Sequence, residues 1–261
     1  MRWSVSVLSD TGTVQPVVPL PRSIAVAIVA VLVACAAAAW LITIDQAGAV
    51  GMGGIATMGA AIFLVTWLVM VVAMMFPSVA PMTLAFASVA RSRGEGALPT
   101  IAFVLGYLLI WAAAGIVPLA ANQALSHIWT TPSWLVRAEA AVILLAGIYQ
   151  FTPLKARCLR ACRSPLGFIL NHDFGRGSAS AVRSGVSHGL YCLGCCWALM
   201  AVLAVLGLMN IAWMAVFAAV FFIEKNVRHG DLLPKVVGAA CIVGGLAVLA
   251  WPFLLANPFP I

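Results

Sequence analysis

One stretch of this sequence concentrates residues able to do chemistry: His188-Gly189-Leu190-Tyr191-Cys192-Leu193-Gly194-Cys195-Cys196-Trp197-Ala198-Leu199-Met200. On a helix, His188, Cys192 and Cys195 stand at i, i+4 and i+7, within a narrow arc of one face, and Cys196 and Met200 flank it. An imidazole and two thiols on one stripe form a soft-donor set suited to a metal ion. Gly189 and Gly194 leave room for another helix to come close. Against this stands plain packing, because cysteine serves as a small apolar residue and a single buried histidine is ordinary. Three such residues at helical spacing favour ligation. The adjacent Cys195 and Cys196 are poorly placed to form a disulfide with each other.

A second stretch runs Trp67-Leu68-Val69-Met70-Val71-Val72-Ala73-Met74-Met75-Phe76-Pro77-Ser78-Val79-Ala80-Pro81-Met82. At about 100° per residue, Met70, Met74, Pro77, Ser78 and Pro81 share a face, with Trp67 at its edge. Pro77 and Pro81 free the carbonyls of Ala73 and Pro77, which predicts a bent helix. Broken backbone at membrane depth is tolerated where it faces protein or a cavity, so a methionine cluster beside it reads as a site wall. Methionine is otherwise a core filler, and this stretch alone favours packing. Taken with the His/Cys stretch, it supplies thioethers opposite thiols.

Charge and softness choose the metal. Copper(I) with one thiolate and neutral His or Met ligands is electrically neutral, and so is zinc(II) with two thiolates and a His. Thioethers tip the choice to copper(I), with zinc the alternative. Haem is disfavoured by the lack of a Cys-x-x-Cys-His pattern.

The elements that position these residues are set by composition. Hydrophobic residues make up 64% of the chain and charged residues 8%, with a mean hydropathy of +1.11. A water-facing surface needs about a quarter of its residues charged, so the outer surface must be lipid. The expected fold is all-α: a polytopic transmembrane helical bundle of about seven spans, near 23–44, 60–88, 98–121, 134–151, 185–208, 211–224 and 236–255. Residues 1–22 form a polar tail, 23–255 the helical domain with a basic loop at 152–184, and 256–261 a short outer tail. The uncharged segment 48–59 reads as surface or re-entrant.

The net charge of +7 does not point to nucleic acid, since the basic residues sit in links between apolar runs. Arg2 and Arg22 precede the first span, Arg91 and Arg93 follow the second, and Lys155, Arg157, Arg160, Arg163, Arg176 and Arg183 follow the fourth. Lys225, Arg228 and Lys235 follow the sixth. Every second link is basic, which predicts a cytoplasmic N-terminus, an outer C-terminus and residence in a bacterial cytoplasmic membrane. Trp129, Trp134 and Trp251 fall near outer span ends, as an aromatic belt requires. On this topology the second span runs inward and the fifth outward, so their chemistry-bearing halves share one membrane level.

Other candidates are weaker. Cys158 and Cys162, at i, i+4 in the basic link with His172 and Asp173 beyond, could receive or hand over a metal, but positive neighbours disfavour cations while making thiols reactive. Contact of that link with anionic lipid heads is the favoured reading. Glu224 could gate a cation, although an ion pair with Lys225 or Arg228 explains it equally, with His229 nearby. Cys35 and Cys241 read as packing. Phosphate loops, paired catalytic carboxylates and a Ser/His/Asp set are absent from the sequence.

The Met70 to Met82 segment, with Met-Met-Phe-Pro-Ser-Val-Ala-Pro-Met, and the Gly189 to Met200 segment, with Cys-Leu-Gly-Cys-Cys-Trp-Ala-Leu-Met, together resemble a bacterial family of multi-pass "predicted metal-binding integral membrane proteins". The resemblance covers the second to the sixth span. It implies metal binding, and by residue it points to Met74, Met75, Met82, Cys192, Cys195 and Cys196, without supplying a substrate or reaction.

The functional expectation is a membrane protein holding or moving copper(I) between the 67–82 and 188–200 segments, as transporter, membrane chaperone or metalloenzyme-loading factor, with enzymatic activity left open. Its ligands would come from His188, Cys192, Cys195, Cys196, Met70, Met74, Met75 and Met82, with Pro77 and Pro81 shaping the cavity. The alternatives are an accessory subunit of a larger membrane complex, such as a copper oxygenase, and a membrane redox enzyme. Expected partners are the lipid bilayer and other membrane subunits.

Overall fold

A computed structural model describes residues 6–8, 14–16, 19–50, 59–125, 132–171, 175–207, 210–227 and 232–251. Arg2, the segment 51–58, Trp129, His172, Asp173, Arg228, His229 and the tail 252–261 lie outside the described residues. Among the described residues, regular structure is helical apart from one small hairpin in the N-terminal tail. That hairpin pairs β1 (Ser6–Leu8) antiparallel with β2 (Val14–Pro16), with Val7 opposite Gln15.

The helices follow in order: α1 (Arg22–Val50), α2 (Ala60–Ser92), α3 (Leu98–Leu125), α4 (Pro132–Tyr149), α5 (Pro153–Arg163), α6 (Pro165–Asn171), α7 (Gly177–Leu206), α8 (Ile211–Asn226) and α9 (Leu232–Ala250). Five of them, α1, α2, α3, α7 and α9, are long and apolar enough to cross a membrane. Helices α4 and α8, at the fourth and sixth expected spans, have 18 and 16 residues. At 1.5 Å per residue, α8 is about 24 Å long, against a hydrocarbon core of about 30 Å.

The basic link reads as a loop in sequence, yet it folds. Thr152 caps α5 through its hydroxyl, which accepts from the Lys155 amide at 3.3 Å, and Pro153 opens the helix. Helix α7 begins at Gly177, well before the apolar run at 185, because small residues there suit close packing. Within α2 the helix continues through Pro77 and Pro81 to Ser92. The Ser78 and Thr83 hydroxyls turn back onto the carbonyls of Met75 and Val79 at 2.9 and 3.3 Å.

Outward-facing side chains include Val26, Leu41, Leu105, Val117, Val236 and Val243, whereas Lys155, His188, Glu224 and Lys225 are buried. This inverts the arrangement of a water-soluble protein and fits a lipid surround. Helix α7 packs along α3, α4 along α9, and α2 chiefly against α1, α3 and α8. The α3–α7 contact is made by glycine. A Cβ on Gly185 would lie 2.0 Å from the Phe103 carbonyl oxygen, and one on Gly106 would lie 2.4 Å from that of Val182. Without an aqueous driving force between helices, such backbone approach is a main source of packing energy. The Trp67 indole N–H donates to the Trp111 carbonyl at 2.8 Å, tying α2 to α3.

Gly185→Leu should therefore abolish the α3–α7 contact and the folded protein with it, whereas Gly244→Ala, with nothing within 4 Å of the added Cβ, should be neutral or stabilising by up to about 1 kcal/mol. Thermal unfolding in detergent distinguishes the two.

Candidate metal centre

The buried face of α5 carries Lys155, Cys158, Leu159 and Cys162, a single helical stripe, while Arg157 and Arg160 on its other side are exposed. Lys155 reaches inward. Its Nζ donates to Glu224 Oε2 of α8 at 2.8 Å and to the Cys195 carbonyl of α7 at 2.6 Å. At the far end of α5, Arg163 Nε donates to the Glu224 carbonyl at 2.5 Å. Tyr149, which closes α4, donates through its hydroxyl to the Gly194 carbonyl at 2.6 Å. Three helices, α4, α5 and α8, are thereby fixed to one level of α7. The partner of Glu224 is Lys155, not the adjacent Lys225 that its sequence neighbourhood suggests.

Lys225 does something else. Its Nζ lies 3.1 Å from Cys192 Sγ, 3.4 Å from Met75 Sδ and 3.9 Å from Cys196 Sγ. Three sulfurs from α2 and α7 thus face one cation delivered by α8. The Tyr107 hydroxyl of α3 adds a contact to Cys192 Sγ at 3.2 Å. Cys195 points from the same turn toward α5, with Sγ 3.9 Å from Cys162 Sγ and 4.0 Å from Cys196 Sγ. The Cys195 and Cys196 thiols both donate to the Cys192 carbonyl, at 3.1 and 2.6 Å. Every described cysteine is a free thiol.

Burial, with the Cys195 sulfur next and Lys155 opposing, pushes the Cys158 thiol up. Hydrogen bonds with the Cys192 and Cys195 sulfurs, followed by burial, hold the Cys162 thiol well above its ordinary value. Both therefore rest as neutral thiols.

Not every candidate joins the sulfurs. His188 stands in an aromatic box, with ring centroids 6.0 Å from Phe103, 5.8 Å from Tyr107 and 5.5 Å from Phe168. Its Nδ1 is buried without a hydrogen-bond partner among the described residues, as is Glu224 Oε1. On α2 the methionine that meets the cation is Met75, whereas Met70, Met74 and Met82 are buried in the general core. The face bearing Met70 and Met74 is thus not the one turned to Lys225. Among the described residues, no group of three or more His, Cys, Asp and Glu side chains is placed to hold a metal ion. The arrangement consists of sulfur pairs and a thioether around an ammonium.

Sequence reasoning missed Lys225, Lys155, Tyr107 and the Cys162–Cys195 contact. Lysines at span ends read as orientation signals, and only the small-residue stripes hinted at which helices meet.

The fold is helical, with five helices long and apolar enough to cross a membrane, and it buries sulfur side chains of α2, α5 and α7 together. The family described as PpoB2, copper chaperone, matches residues 64–248, and the chain belongs to that family. Neither the curated proteins nor the solved structures gave a match. The family places copper with this chain and, together with the apolar helices, is compatible with membrane copper handling.

The buried Lys155–Glu224 pair sets a stability test. Lys155→Met should cost about 3–5 kcal/mol by leaving a buried carboxylate unpaired, and adding Glu224→Met should recover most of the loss. Unfolding midpoints of the two variants in detergent check this.

Proposed function

We propose that this protein is a membrane copper chaperone that holds copper(I) as cargo on Cys192, Cys196 and Met75, and yields it to an acceptor. It works as a seven-span protein of the bacterial cytoplasmic membrane, with its N-terminus and α5 on the cytoplasmic side. The observation that carries this reading is the seat of Lys225: three sulfurs surround a positive charge at 3.1 to 3.9 Å, in a buried position. The ammonium stands where a soft cation would be welcomed, and copper(I) binds by displacing it.

Charge selects the ion. Among the buried described side chains, two lysines and one glutamate leave one positive charge over. Copper(I) held by two thiolates carries one negative charge and cancels it, whereas zinc(II) on the same two thiolates is neutral and leaves it uncompensated. An uncompensated charge inside a membrane protein costs several kcal/mol. The thioether of Met75 also favours copper(I). The hydroxyl of Tyr107 orients Cys192 Sγ, and His188, with an open Nδ1 one helical turn away, is a reserve donor for a loaded state.

The test is competition of purified, reduced protein against a chromophoric copper(I) chelator. Cys192→Ser and Cys196→Ser should each lose copper by more than the ~10–100-fold expected for an outer partner such as Tyr107→Phe. Met75→Leu should weaken binding while leaving zinc affinity unchanged. Folded wild-type protein that ignores copper(I) under reducing conditions sinks the reading.

A further inference from the structure

The α5–α7 interface places two thiols of unconnected elements against each other, outside the set that surrounds Lys225. Cys162 Sγ and Cys195 Sγ are 3.9 Å apart, both buried and both free. A metal–thiolate bond is about 2.3 Å, so a soft ion bridging two thiolates needs sulfurs up to about 4.6 Å apart when linear and closer when bent. The observed spacing lies within that reach without movement of either helix. We propose that Cys162 and Cys195 form a second copper(I) site, through which the ion passes between the α5 end of the bundle and the inner sulfurs.

Three features argue that the pair is built rather than incidental. Helix α5 is pinned on both sides of Cys162, by Lys155 onto the Cys195 carbonyl and by Arg163 onto the Glu224 carbonyl. The same helix brings a further thiol: Cys158 Sγ occupies the space over Gly194, where an added Cβ would lie 2.6 Å from it. Any side chain at 194 would therefore push α5, and its cysteines, off α7. Finally, Cys195 is shared. It lies 3.9 Å from Cys162 and 4.0 Å from Cys196, and Cys196 in turn faces the Lys225 ammonium that touches Cys192. The sulfurs form a ladder of near-equal rungs from the amphipathic helix into the bundle.

Such a ladder permits transfer by ligand exchange with no change of oxidation state. Copper(I) bound by Cys162 and Cys195 keeps Cys195 as a common ligand. A bond to Cys196 Sγ forms as the bond to Cys162 Sγ breaks, and the proton lost by the Cys196 thiol is balanced by one taken up at Cys162. Entry at Cys162 releases two protons for one copper(I) bound to two thiols. The exposed, basic outer face of α5 puts this end within reach of a thiol-bearing copper carrier of acidic surface.

The inference rests on the copper chaperone reading, and its test separates the two. Reduced full-length protein in detergent is titrated with copper(I), and its release to a chromophoric chelator is timed. Wild type should bind two ions. Cys162→Ser should bind one and release it about tenfold or more slowly, in the range of outer-partner effects on metal sites. The Cys192→Ser/Cys196→Ser double variant should retain one copper with two sulfur ligands by X-ray absorption, which does not depend on how a Cys162 variant folds. Retention of wild-type stoichiometry and release rate by Cys162→Ser, or no copper in the double variant, overturns the second site alone. Absence of copper from wild type overturns the chaperone reading and the second site together.

Discussion

Two ammonium groups and one carboxylate are buried at one end of a bundle whose outer surface is valine, leucine and isoleucine. Charges there persist only if each is matched, because the surrounding medium offers no water to share the cost. Lys155 and Glu224 match each other at 2.8 Å. Lys225 has no carboxylate partner among the described residues and faces sulfur instead. The helices are arranged around this constraint: α5 lies against the bundle because Lys155 must reach Glu224, and α8 ends where it does because Glu224 and Lys225 must turn inward.

The same constraint links packing to chemistry. Gly106 and Gly185 let α3 and α7 approach to backbone contact, which puts the Tyr107 hydroxyl 3.2 Å from Cys192. Gly194 lets Cys158 settle against α7, and the anchored α5 then carries Cys162 to Cys195. Small residues in this protein set distances between sulfurs. A side chain added at one of these glycines acts on the site through helix separation, not through any contact with a ligand.

Much of this was legible in sequence, for specific reasons. The inversion of apolar outside and polar inside follows from composition, and the thiols of α7 stand out because cysteines at i, i+3 and i+4 on an apolar helix are rare enough to notice. Periodicity could give α2 a methionine face but not its rotation, and the structure turns Met75 rather than Met74 to Lys225. That rotation is decided by the packing of α2 on α1, α3 and α8, which no local pattern encodes. Lys155 and Lys225 were hidden by a sound rule: lysines between spans usually mark the cytoplasmic side, and nothing local tells an orientation signal from a buried counter-ion. The Cys162–Cys195 contact joins residues from different helices, and the basic character of 152–184 read as a loop concealed the helix that makes it.

A tethered ammonium in a sulfur site has a thermodynamic consequence. In the empty protein the ammonium faces sulfur and is the buried charge left over; on the chaperone reading, a copper–dithiolate unit in the loaded protein would supply the matching charge. Loading must move the ammonium off the sulfurs, a cost that a site of bare thiolates would not carry. A storage site gains from a deep well, since release is not its task. A carrier needs affinity enough to load and little enough to unload, and on the chaperone reading Lys225 acts on both: its charge favours the copper–dithiolate unit, while its displacement from the sulfurs opposes loading. On the chaperone reading, the balance of these two effects at Lys225 sets how readily the site exchanges its ion.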